Sequence, residues 1–207
     1  MADQTNNQPV REEPSLSELL QVRRDKLAEL QNRGQDPFQI TKYDVSHHSD
    51  EVKENFEAME GQTVRLAGRL MSKRGMGKAV FSDLQDGAGR IQLYVSIDDV
   101  GEEALADFKK YDIGDIVGVE GEVFRTKRGE ISIKAKTVTL LSKSLLPLPE
   151  KFHGLTDVET RCRQRYVDLI VNPDVKRNFI VRSQFIKYRC EPRFGRFSTR
   201  GRTAPEA

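Results

Sequence analysis

The segment Lys78-Ala-Val-Phe-Ser-Asp-Leu-Gln-Asp-Gly-Ala-Gly-Arg-Ile-Gln-Leu-Tyr-Val95 restricts the fold more than any other part of the chain. Two runs rich in β-formers, 79–84 and 90–95, flank Asp86-Gly-Ala-Gly89. Glycines there can take the positive φ of a tight turn, so the segment predicts a β-hairpin. Upstream, 63–71 alternates apolar Val64, Leu66 and Gly68 with Arg65, Ala67 and Arg69, the period of two of a strand with one wet face. Downstream, Ala104, Leu105 and Phe108 have helical spacing within 102–111. Residues 113–124 and 130–141 predict two further strands, turned at Lys127-Arg-Gly129.

Three strands, a helix and two strands in succession are the element order of a five-stranded OB-fold barrel. Gly68, Gly118 and Gly121 fall inside strands, where a small sheet must coil sharply to close. The expected fold class is mainly β with flanking helices: the barrel at 61–143, an N-terminal helix and linker before it at 15–60, and a helical linker after it. Barrels of this kind commonly bind single-stranded nucleic acid.

The charges sharpen that expectation. Arg65, Arg69, Lys73, Arg74 and Lys78 fall within a stretch free of acids, and Arg125, Lys127, Arg128, Lys134 and Lys136 crowd the last two strands with Glu130 among them. Such a stripe can follow a phosphate backbone. If Val80 and Leu84 point into the core, alternation turns Phe81 to the open face, where an aromatic beside arginines is a stacking platform for a base. The alternative is a core Phe81 beneath a merely solvated charged surface.

Charged residues make up 32% of the chain, and no apolar run is long enough to span a membrane. With 1–13 polar and lacking an apolar centre, no signal peptide is expected and the location expected is cytoplasmic. Cys162 and Cys190 lie far apart without histidines at ligand spacing, which supports neither a metal site nor a disulfide framework; His47, His48 and His153 form no catalytic pattern. The net charge of +2 conceals an asymmetry: −6 over 1–60 against +8 over 161–207. That polarity suggests a polyanionic partner.

Residues 1–14 read as disordered. A helix then opens on the capping box Ser15-Leu-Ser-Glu18, carries Leu16, Leu19, Leu20, Leu27 and Leu30 on its apolar face, and stops at Gly34 ahead of Pro37. Its Arg23, Arg24 and Lys26 are candidates for nucleic-acid contact, but a helix lying on the barrel with a solvated basic face is the preferred expectation. A linker with a short helical piece around 52–59 follows. The proline-containing segment 144–160 reads as a hinge, 157–170 as one helix, and the stretch from Pro173 as another that presents Phe179, Ile180 and Ile186 without an apolar partner.

Several runs together carry a resemblance: Gly68-Arg-Leu-Met-Ser-Lys-Arg-Gly-Met-Gly-Lys-Ala-Val-Phe-Ser-Asp-Leu-Gln-Asp86, Gly89-Arg-Ile-Gln-Leu-Tyr94, Gly114-Asp-Ile-Val-Gly118, Gly129-Glu-Ile-Ser132, Pro147-Leu-Pro-Glu-Lys-Phe-His-Gly-Leu155 and Arg163-Gln-Arg-Tyr-Val-Asp-Leu169. From about Ser17 to Lys187 the chain resembles bacterial-type class II lysyl-tRNA synthetases. The resemblance implies a barrel that reads the uridine-rich anticodon stem-loop of tRNA(Lys). Carried over by motif, Phe81 stacks on an anticodon base, Gln92 and Glu130 address base edges, and Arg69, Lys73 and Arg74 hold base or phosphate. Lys73 stands where relatives often carry arginine, which keeps the charge but loses a bidentate contact.

The resemblance also implies ATP and Mg²⁺ for the full-length enzyme, bound by motifs that follow residue 207, so that no cofactor and no catalytic residue is expected within this chain. It implies a homodimer for the family, with much of the subunit contact supplied beyond the matching part. Residues 161–188 correspond to the start of the catalytic domain, and similarity ends at Tyr188. From Lys187 to Ala207 there is no Leu, Ile, Val or Met. That end reads as truncated or out of frame, with a structural tail or basic RNA-binding arm as the alternative, and the exposed apolar residues ahead of it predict low solubility or a mobile tail.

Overall fold

Alternation over Val64, Leu66 and Leu70, each at most 1% exposed, builds the first of five strands. The computed structural model describes residues 16–149 and 157–197. It divides into two units, 1–147 and 148–207.

In the first unit the strands are β1 (Thr63–Met76), β2 (Ala79–Gln85), β3 (Arg90–Ser96), β4 (Ile116–Arg125) and β5 (Ile131–Ser142). They close into a barrel in the order β1-β2-β3-β5-β4, with every pairing antiparallel except β3 to β5. This is the OB fold expected. Strand β1 runs further than its alternation foretold because a register shift between Leu70 and Ser72 re-aims it, and its distal half then pairs with β2.

Val80, Leu84, Leu93, Val95, Val117, Val119 and Ile133 fill the interior. Phe108 and Leu105 of α5 (Glu102–Lys110), with Val52 of α2 (Ser49–Glu54) and Phe56 and Met59 of α3 (Phe56–Met59), join the same core. Each such side chain, removed from water, contributes about 1.5–3 kcal/mol before conformational entropy is counted. The helical piece expected around 52–59 is therefore two short helices. Between β3 and α5 lies α4 (Ile97–Val100).

The β2–β3 turn departs from expectation in its chemistry. Neither Gly87 nor Gly89 has a positive φ. Instead Asp86 Oδ1 accepts from the backbone N–H of Ala88 (2.9 Å) and Gly89 (2.7 Å). Its other oxygen accepts from Ser49 N at 2.7 Å, and the Ser49 hydroxyl donates to Oδ1, so the hairpin tip is tied to the start of α2. A Cβ at Gly89 would sit 2.0 Å from Asp50 Oδ1, so a larger residue there would have to displace the exposed Asp50 carboxylate. Burial alone would raise the Asp86 carboxyl, but these donors outweigh it and hold it below the usual carboxylate value.

Helix α1 (Leu16–Asn32) docks with the charges the sequence left to solvent. Arg23 donates to the carbonyls of Ser144 (2.9 Å), Leu146 (3.1 Å) and Ile113 (3.3 Å), and Lys26 pairs with Asp112 at 2.6 Å. The expected solvated basic face is thus in part the docking face, while Leu16 is 63% exposed. Behind it, Lys143 is buried between Asp112 (2.6 Å) and Asp115 (2.7 Å), whose side chain is fully buried. Asp115 also accepts from the N–H of Asp112 and of Ser144, both at 2.8 Å. The capping box at Ser15, the N-terminal segment 1–14 and residues 150–156 of the hinge lie outside the described residues.

In the second unit, the single helix expected over 157–170 is broken at Gln164 (φ −110°, ψ 54°) into α6 (Val158–Arg163) and α7 (Arg165–Val171). The break lets Arg161 and Arg165 reach one buried carboxylate, Asp168, at 2.9 and 2.6 Å, with Asn172 Nδ2 donating to it at 2.6 Å. Helix α8 (Pro173–Phe197) runs past Tyr188 into the stretch expected to be an aberrant tail; 198–207 lie outside the described residues. On α8, Phe179, Ile180, Val181, Phe185 and Ile186 are exposed, as its spacing foretold for three of them. Among the described residues no helix is long and apolar enough to cross a membrane.

Candidate nucleic-acid interface

Strand pairing lays the outward side chains of the barrel in rows. One row crosses four strands through the paired positions Arg74, Phe81, Tyr94 and Lys134. The adjacent row, two residues along each strand, runs Ser72, Asp83, Gln92, Ser132 and Phe124, with Ser132 itself fully buried beneath its neighbours. Val80, Ser82 and Leu84 alternate with Phe81 and Asp83 and are buried. Phe81 is therefore on the outer face and half-buried, as alternation required.

Another ring lies against it. Phe81 and Tyr94 have centroids 5.0 Å apart with planes tilted by 49°, and Phe124 meets the far side of Tyr94 edge-on at 5.9 Å. Cations stand at both ends of this aromatic row. The Arg74 guanidinium lies 4.0 Å from Asp83, and the Lys134 ammonium pairs with Asp99 at 2.8 Å. The hydrogen bond to Asp99 and its charge hold the Lys134 ammonium above its ordinary value.

In the second row the Ser132 hydroxyl donates to Gln92 Oε1 at 3.0 Å, across the parallel β3–β5 pairing. This bond orients the carboxamide and leaves its Nε2 as the donating end. Ser72 donates to Asp83 in the same row. Glu130, two residues before Ser132, is exposed at the mouth of the β4–β5 turn, with its backbone N–H donating to Thr126 Oγ1 at 3.1 Å. Aromatic planes beside oriented polar groups and flanking cations are the components of single-strand recognition.

The structure does not bring all the expected cations to this face. Lys73 alternates with Arg74 and pairs with the inward Ser82. Its ammonium donates to the carbonyls of Phe108 (2.9 Å), Lys109 (2.6 Å) and Tyr111 (2.7 Å) at the C-terminal end of α5 and lies 5.7 Å from the Phe108 ring. Burial pushes its pKa down to about 8. Arg69 is on the outer side but one row further, opposite Gln85, and its guanidinium donates to Gly114 O at 2.6 Å. Of the wider basic stripe, Arg65 pairs with Glu120 at 3.1 Å and Lys136 with Glu122 at 3.6 Å.

Tyr94, Phe124, Asp83 and Ser132 are the interface residues that sequence reasoning passed over. Tyr94 was legible, since hairpin pairing of Phe81 places it directly opposite. Phe124 and Ser132 reach the site only through barrel closure.

The comparisons with known proteins agree with this geometry. The family model for an OB-fold nucleic acid binding domain, of the tRNA anticodon type, matches residues 64–141. A lysine–tRNA ligase of Clostridium perfringens strain ATCC 13124 is 58% identical over 175 residues, 84% of this chain and 35% of that protein. The lysine–tRNA ligase of Clostridium tetani is 54% identical over 180 residues, covering 87% of this chain and 36% of its own length. Over most of its length the chain is similar to lysine–tRNA ligases, and these relatives together with the OB-fold match support an N-terminal lysyl-tRNA synthetase fragment.

It spans about a third of the length of these ligases. The described residues hold the OB domain and a short helical unit. Among the described residues no three of His, Cys, Asp and Glu are grouped so as to hold a metal ion.

Proposed function

We propose that the barrel is the anticodon-reading domain of a lysine–tRNA ligase, acting in the cytoplasm on the uridine-rich anticodon loop of tRNA(Lys). The observation that carries this proposal is the outward pair Phe81 and Gln92 in adjacent rows, with Gln92 oriented by Ser132. Phe81 offers its face to an unpaired base. Gln92 Nε2 then donates to uracil O4, and the exposed Glu130 carboxylate accepts from uracil N3–H. Cytosine inverts both partners, presenting a donor at C4 and an acceptor at N3, and leaves like groups facing one another.

Arg74 stays on this face with Asp83 as its neighbour and supplies charge to the strand's phosphates. Arg69, held by Gly114, serves the same strand from the next row. The chemistry of lysine activation with ATP lies with the remainder of the ligase. The 207-residue chain alone is accordingly expected to give no lysine-dependent ATP–pyrophosphate exchange.

The deciding experiment is a fluorescence titration with a hairpin carrying three uridines in its loop, against the same hairpin with cytidines. Tighter binding of the uridine loop, with a loss of about 1–3 kcal/mol for Phe81→Ala, supports anticodon reading. Equal affinity for both loops leaves a general single-strand binder.

A further inference from the structure

We propose that Tyr94 forms a second base-stacking position beside Phe81, so that two successive unpaired bases are each received by a ring of their own; this rests on the anticodon-reading proposal above. The two residues are paired across the β2–β3 ladder, and both project from the outer face while their neighbours Val80, Leu93 and Val95 point into the core. Neither ring is needed to fill the interior.

The tilt is the decisive feature. With their planes 49° apart, a single flat base can lie parallel to one ring but not to both. If Tyr94 served only to support Phe81, a base on Phe81 would leave the remaining exposed surface of Tyr94 in water. Phe124 packs edge-on against Tyr94 and holds its plane in place before any ligand arrives. The charges extend the same way: Lys134, paired with Tyr94 across β3–β5, keeps 43% of its side chain exposed despite its bond to Asp99. A cation therefore stands beside each ring, Arg74 next to Phe81 and Lys134 next to Tyr94, as a strand passing over both rings requires for its successive phosphates. The ligand class is a pair of adjacent unpaired pyrimidines in a single strand.

The test uses the whole 207-residue chain, its Phe81→Ala, Tyr94→Ala, Tyr94→Leu and Tyr94→Phe variants, and the three-uridine hairpin. A set of the same hairpin with one uridine at a time replaced by an abasic site completes it. Tyr94→Ala is expected to weaken binding roughly tenfold. Tyr94→Phe should bind as the wild type, and Tyr94→Leu, which keeps apolar bulk against Phe81 and Phe124, should bind as weakly as the alanine variant. The penalty of Tyr94→Ala should vanish at one abasic position and that of Phe81→Ala at its neighbour. If both penalties vanish at the same position, or if Tyr94→Leu binds like wild type, Tyr94 only buttresses Phe81 and the inference is overturned. A wild-type chain that does not distinguish the uridine loop from a cytidine loop instead removes the anticodon proposal itself, and this one with it.

Discussion

Lys73 and Arg74 are consecutive, yet their charges end on opposite sides of β1. Lys73 donates to three carbonyls at the end of α5, and Arg74 stands beside Phe81 with its guanidinium 4.0 Å from Asp83. Their substitutions should therefore separate. Arg74→Ala should lower RNA affinity and reduce the slope of log affinity against log salt by about one phosphate contact's worth. Lys73→Ala should leave that slope unchanged and lower folding stability by about 1–3 kcal/mol in a urea titration, because carbonyls half-buried around it lose their donor. A salt slope that falls for Lys73→Ala would place its charge on the RNA after all.

Lys73 should also leave a signature at alkaline pH. Burial holds its folded pKa at about 8, whereas an unfolded lysine titrates near 10.4. Between those values the unfolded chain carries a proton that the folded chain has released, so this group's contribution to stability rises with pH across the window. The urea midpoint of the wild type, measured from pH 8 to 10, should rise relative to that of Lys73→Met.

On the acid side the sign reverses. Burial would raise the Asp112 carboxyl, but hydrogen bonds from Lys143 and Lys26 outweigh it and hold it below the ordinary value. Its contribution is complete above the unfolded pKa of about 3.9 and is lost as pH falls through the lower folded value. Asp112→Asn should accordingly flatten the loss of stability seen by circular dichroism below about pH 4.

The buried pair of Lys143 and Asp115 predicts an asymmetry. Lys143→Met leaves a fully buried carboxylate without its cation, which costs about 3–5 kcal/mol. Adding Asp115→Leu should restore part of that loss, since two apolar side chains need no counter-charge. Chemical denaturation of the single and double variants reads the difference; a double variant less stable than the single one would mean that the Asp115 bonds to Ser144 N and Asp112 N matter more than its charge.

Much of the barrel was legible because strand alternation is a local property. Val80, Ser82 and Leu84 inward and Phe81 outward follow from a period of two, whichever sheet the strand joins. The hairpin was legible too, although its turn is set by the Asp86 carboxylate instead of by positive-φ glycines. The helix break at Gln164 was not, because what stabilises it is a carboxylate, Asp168, reached by arginines on both sides of the break.

What the amino-acid order determined by itself is the set of strands, the outward Phe81 and the likeness to lysine–tRNA ligases. Tertiary structure alone decided which cations face solvent and which polar groups are oriented. Lys73 meets α5 across some thirty-five positions, Arg23 meets Ser144 across 121, and Gln92 meets Ser132 across 40. Partners so distant are delivered by closure of the barrel and docking of α1, and a polar side chain cannot reveal from its own neighbours in sequence whether such a partner waits for it or whether it remains for a ligand.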